Sequence, residues 1–210
     1  MDKPISSIIH TKPNFETNDI IEMRLLVIIA YSLNENPDEI NNYAMSKFKY
    51  GSDTSFGVRS IGLINDEQTT FFNALFQCLN KTIFIYNSFF LFINKFKQTY
   101  VHIDDTRDSS YAAVCYLNNK PLKQSGLILY DETSVSDKFG SLFQDNHLSR
   151  QHISQWYRIN KMDIDSYICE EYNKVILYKT NTYHYIYQPY GETKMNCRLG
   201  HTFFFDTINK

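Results

Sequence analysis

The first patterned stretch of the chain is residues 24–31, RLLVIIAY, a short continuous apolar run that predicts a buried strand. A helix signal follows. Asn36 stands at a capping position, Pro37 suits the first helical turn, and Asp38 and Glu39 favour its positive end. Ile40, Tyr43, Ala44 and Phe48 then recur at near-helical spacing. A second helix is predicted over 66–80, with Phe71, Phe72, Leu75 and Cys78 on one face. After Asn80 the period changes. The stretches 82–96, 98–104, 110–118, 126–132, 174–180, 183–188 and 197–207 are short, rich in β-branched and aromatic residues, and separated by Asn, Asp, Gly and Ser. Such a series predicts a β-sandwich or jelly roll. The zone 135–170 is more polar and carries the single tryptophan, Trp156; it reads as a helix or a long excursion between strands.

Length and charge narrow the picture. A chain of 210 residues supports one domain with a sizeable core, read as residues 1–81 packing on a core of 82–210. A formal charge of −2 without a basic block argues against nucleic acid or an anionic membrane as partner. Cys78, Cys115, Cys169 and Cys197 form no CxxC pair, so they read as reduced thiols of a cytoplasmic protein. No signal peptide is visible, and the apolar stretches 20–31 and 82–96 are too short and too polar to span a bilayer. Tyr and Phe, at 16 each, join abundant Asn, Ile and Lys, residues with AT-rich codons; this points to a viral or phage source and hence a host cytoplasm.

Chemistry enters at TYVHIDDTRD, residues 99–108. Alternate residues of a strand share a face, so Tyr100, His102 and Asp104 point together while Asp105 points away. Taken alone, H-x-D is a common chance pair at a strand end. Two further residues change its weight: His184, just after the strand at 174–179, and Arg198, at the start of the last apolar strand. Two imidazoles and one carboxylate form the facial triad of non-haem iron(II), which leaves positions open for other ligands. An arginine suits bidentate recognition of a distal carboxylate. His147 and His152 are five apart, wrong for one helix face, and predict no second metal site; His201 lies off the face of Arg198 and reads as structural.

H-x-D, a distal His and an Arg in the following strand resemble the motif of the 2-oxoglutarate/iron(II)-dependent dioxygenases, and most closely their prolyl 4-hydroxylase-like branch. AAVCYLNN at 112–119, SGLILY at 125–130, YNKVILYKTNTYHY at 172–185 and RLGHTFFF at 198–205 are similar to successive strands of that family, and NPDEINNYA at 36–44 to a helix opening in a bacterial and phage group within it. The resemblance implies a double-stranded β-helix (jelly roll, cupin-like) core with N-terminal helices. It implies iron(II) held by His102, Asp104 and His184, and 2-oxoglutarate held by Arg198 and Tyr116, with ascorbate as a reductant. Tyr100 is expected to line the pocket. Where relatives carry Ser or Thr two residues after the arginine this chain has Gly200, so Thr202 or Tyr116 is expected to take over that contact. The implied reaction is hydroxylation of an unactivated C–H bond in a protein side chain or a small molecule. The alternatives are a non-catalytic jelly-roll binding module and a structural protein of a virus particle. The segment 131–165, with Phe139, Phe143, Trp156 and Tyr157 as apolar anchors, is expected to fold over the mouth of the site.

Overall fold

The computed structural model describes residues 9–11, 27–31, 33–54, 57–77, 79–97, 99, 102–105, 107, 109–130 and 164–209. The lid expectation spans 131–165, of which 131–163 lie outside the described residues, as do His147, His152 and Tyr100.

The described strands form two sheets. The large one takes in β1 (Ile9–Thr11), β2 (Val27–Tyr31), β3 (Ser52–Asp53), β4 (Val58–Ile61), β5 (Lys81–Ile93), β6 (Ser110–Tyr116), β9 (Lys174–Lys179) and β11 (Arg198–Asn209). Its order is β1-β2-β9-β6-β11-β5-β4-β3, antiparallel except for the β1–β2 pair. The small sheet orders β10 (His184–Tyr187), β7 (Gly126–Tyr130) and β8 (Ile164–Cys169), all antiparallel. Two helices, α1 (Pro37–Lys47) and α2 (Asp66–Gln77), precede β5 with β3 and β4 between them, so the N-terminal part mixes helix and strand.

Strand alternation divides the interior in two. Ile28, Phe90, Phe92, Tyr111, Cys115, Leu177, Phe203 and Phe205 face outward from the large sheet, against Ile40 and Ala44 of α1 and Phe72, Leu75 and Phe76 of α2. Ile29, Phe89, Leu91, Val114, Ile176 and Tyr178 face the other way, onto Leu127, Leu129, Ile168 and Ile186 of the small sheet. A β-bulge in β5, opposite Phe204 and Phe205, inserts Tyr86 as an extra residue. The insertion reverses parity along β5: Ile83 and Ile85 pack outward before it, Phe90 and Phe92 after it.

The start of α2 is fixed by reciprocal bonds. The Gln68 amide donates to Asn65 Oδ1 (2.8 Å) and the Asn65 amide to Gln68 Oε1 (3.3 Å), a capping box that also directs Gln68 Nε2 onto the buried Asn34 Oδ1 (2.9 Å). Asn36 departs from expectation. It stands before α1 but its side chain makes no capping bond, and Pro37 starts the helix without one. The zone 135–170 is also corrected at its end, where Ile164–Cys169 is a strand. Ile168 is buried beneath it while Tyr167 and Cys169 are exposed, a half-buried alternation masked by Asp165 and Ser166 in the sequence.

Candidate metal centre

The H-x-D stretch does not run as a full strand. His102 forms a single antiparallel bridge with His184: the His102 amide donates to His184 O (3.0 Å) and the His184 amide to His102 O (2.8 Å). The chain then bends, and the amides of Asp104 and Asp105 both donate to Thr180 O, at 2.9 and 3.2 Å. That turn keeps Asp104 on the side of His102. Asp105 leaves for Arg107, 2.7 Å away.

Three donors converge as a result. Asp104 Oδ1 lies 3.6 Å from His102 Nε2 and Asp104 Oδ2 lies 3.5 Å from His184 Nε2. The ligand atoms of the three residues all lie within 4.8 Å of one another. His184 is oriented from behind, its Nδ1 donating to Thr182 O at 2.9 Å, which fixes the tautomer that leaves Nε2 as an acceptor. Tyr178 reaches the pair with its hydroxyl, 3.4 Å from Asp104 Oδ2 and 3.5 Å from His184 Nε2. Burial pushes the Asp104 carboxyl up, but His184, His102 and Arg59 more than offset it and hold the group below the usual carboxylate range. Burial, and the neighbouring His102, hold His184 down to about 4, so its imidazole is neutral at physiological pH.

The triad opens into a cavity between the sheets. Its walls include Leu91, Val114, Leu127, Ile186 and Phe204, and its polar groups include Arg59, Tyr178, Arg198 and Thr202. Arg198, Gly200, Thr202 and Phe204 are alternate residues of β11 and so line one wall. Tyr116, opposite Gly200 on β6, lies against Arg198, whose guanidinium carbon is 5.0 Å from its ring centroid. Burial pushes the Tyr116 hydroxyl up to about 12, so it stays protonated.

Arg198 has a partner that the sequence reading lacked. Its Nε donates to Glu170 Oε2 at 3.1 Å, with side-chain exposures of 2% and 0%. Glu170 is satisfied on both oxygens, by Ser125 Oγ (2.9 Å) and by the hydroxyl of Tyr190 (2.8 Å). Tyr190 belongs to the turn 188–197, where Gly191 takes φ 73° and so permits a left-handed bend. Glu170, Tyr178 and Arg59 were all missed. Arg59 and Tyr178 reach the cavity, and Glu170 reaches Arg198, by strand pairings distant in sequence; the local hint was a cation among the apolar residues of Val58–Ile61. His201 faces the helix side, with Nε2 2.7 Å from Ser88 Oγ and the ring between Phe90 and Phe203.

No protein-family model matches the chain, and no curated protein matches its sequence. Solved structures do match. HygX from Streptomyces hygroscopicus, solved with nickel, 2-oxoglutarate and hygromycin B, aligns at TM-score 0.60 with 11% identity over 86% of this chain and 82% of its own. A 2OG-Fe(II) oxygenase family oxidoreductase from Burkholderia pseudomallei gives 0.54 and 12% over 97% of both chains. The epimerase SnoN, in complex with Fe3+, alpha ketoglutarate and nogalamycin RO, gives 0.57 and 13% over 87% of this chain and 79% of its own. The fold is that of the 2OG-Fe(II) oxygenases. Among the described residues no helix is long and apolar enough to cross a membrane.

Proposed function

We propose that this protein is a single-domain 2-oxoglutarate- and iron(II)-dependent oxygenase that hydroxylates an unactivated C–H bond of a protein side chain or a small molecule. The observation that carries the reading is the convergence of His102, Asp104 and His184 on a cavity that Arg198 also lines. Two imidazoles and a carboxylate suit iron(II), and three ligands leave half of an octahedron open. The two-sheet arrangement is read as a double-stranded β-helix. The motifs favour the prolyl 4-hydroxylase-like branch, a cytoplasmic location, and a partner that is not nucleic acid.

Iron(II) with 2-oxoglutarate and oxygen supplies an oxidant for C–H bonds, yielding succinate and carbon dioxide; ascorbate is the expected reductant. The chain's residues do the rest. Thr182 O orients the His184 imidazole, and the His102–His184 bridge holds the two residues side by side. Glu170 takes Arg198 by Nε, so the terminal nitrogens would meet a carboxylate, with Thr202 on the same cavity wall and Tyr116 against the guanidinium. Leu91, Val114, Leu127, Ile186 and Phe204 keep water from the reacting centre.

Metal-depleted protein titrated with iron(II) or manganese(II) under argon should take up about one ion per chain. Asp104→Ala and His184→Ala should each abolish uptake. Equal metal content in wild type and both variants overturns the reading. So does a metal-loaded protein that releases no succinate from 2-oxoglutarate in air.

A further inference from the structure

We propose that Arg59 holds the metal-proximal carboxylate of the 2-oxo acid, so that the cavity grips its co-substrate by two arginines at opposite ends. The inference rests on the 2-oxoglutarate reading above and adds a residue to it.

Register places the side chain. Arg59 of β4 faces Leu91 of β5, Leu91 faces Gly200 of β11, and Gly200 faces Tyr116 of β6. These four share one row across the large sheet, on the face that looks into the cavity. From that row the Arg59 side chain leans one way. Its guanidinium carbon sits 4.5 Å from the ring centroid of Phe89. Phe89 belongs to the next row, with Thr202 and Val114. The row after that holds Phe204, Ala112 and Tyr178, and the Tyr178 hydroxyl touches Asp104. Arg59 therefore points toward the triad, whereas Arg198 begins β11 on the opposite side of Gly200. Gly200 keeps the span between them free of a side chain; a Cβ there would stand 3.3 Å from Val114 Cγ1.

Charge points the same way. Arg198 is already balanced by the buried Glu170. A divalent metal on Asp104 leaves one positive charge, and a 2-oxo dicarboxylate brings two negative ones. The loaded cavity would then carry one uncompensated negative charge in a poorly solvated space, which is costly. Arg59 cancels it. Among the described residues Arg59 makes no ion pair, and its Nε is buried without a hydrogen bond. A guanidinium in that state is stabilised by Phe89 on one face and lacks an acceptor in its plane, the direction in which a carboxylate binds.

The test is anaerobic calorimetry on nickel(II)-loaded protein with 2-oxoglutarate and with 2-oxobutyrate, which lacks the distal carboxylate. Arg59→Met should weaken both by about 10–100-fold, the loss of a charge-assisted pair, without weakening nickel binding. Arg59→Lys keeps the charge without the fork and should lose less, about 3–10-fold, for both acids. Should the Met variant not fold, the Lys variant carries the decision. Unchanged binding in either variant, beside normal wild-type binding, overturns the role of Arg59 and leaves the proposed function standing. A loss confined to 2-oxoglutarate also overturns it, because Arg59 would then serve the distal end. A wild type that binds neither acid removes both proposals together.

Discussion

One strand, β11, presents two different interiors. Leu199, His201, Phe203 and Phe205 meet the helix side, where Phe203 lies 4.9 Å and Phe205 4.6 Å from the Phe72 ring and the space is filled. Arg198, Gly200, Thr202 and Phe204, interleaved with them, line a cavity shared with the triad, and Arg198 is ion-paired to the buried Glu170. The difference teaches where stability and chemistry are kept. Aromatic close packing on one face supplies the burial that lets the other remain hollow and hold a few polar groups.

The comparison can be broken most sharply at Phe203. Phe203→Ala should cost about 3–5 kcal/mol by chemical denaturation, through lost burial and the cavity left beside Phe72. Metal uptake by the folded protein should be unchanged. A cost below about 1 kcal/mol would mean that the helix side is loosely packed and that the contrast fails.

Glu170 probes the hollow face. Glu170→Gln keeps the shape but leaves Arg198 as an uncompensated buried charge, and should destabilise by roughly 3 kcal/mol. Pairing it with Arg198→Met should recover most of that loss, since exchange of a whole buried pair for uncharged groups is often neutral. A double variant no more stable than the single would show that the ion pair is not what Glu170 serves.

The smallest effect is a slope. Burial holds the His201 imidazole down to about 3 and His184 down to about 4, against an unfolded value near 6.5. Below about pH 6.5 the unfolded chain takes up protons that the native state refuses, so stability of the metal-free protein should fall as pH drops toward 4 and, for His201, toward 3. His201→Gln should flatten this by up to one proton, about 1.4 kcal/mol per pH unit at most. Parallel stability–pH curves for the variant and the wild type would place the titration elsewhere.

The sequence carries the parts of the site that are local. His102 and Asp104 are two residues apart and converge, and His184 and Arg198 open the successive strands β10 and β11. Both helices were legible in their periodicity, and α1 also in its acidic first turn. What escaped depends on pairing at long range. Glu170 follows a strand hidden in polar sequence, and Arg59 becomes a cavity residue only because β4 joins β5. The bulge at Tyr86 reverses the faces of β5 halfway along, so no single alternation describes that strand.

The place of β11 in the large sheet has a consequence for the order of assembly. It runs between β5 and β6, paired to both, yet every other described strand precedes it in the chain. While the polypeptide emerges from the ribosome, β5 and β6 each wait with an open edge. Loop-closure entropy must be met before their pairing with β11 returns anything, which slows folding and leaves hydrophobic edges available to other chains. The same late arrival delivers Arg198 and completes the cavity wall. The His102–His184 bridge and the three triad residues all precede β11 in the chain, so the last strand adds a cavity wall to donors that it does not itself carry.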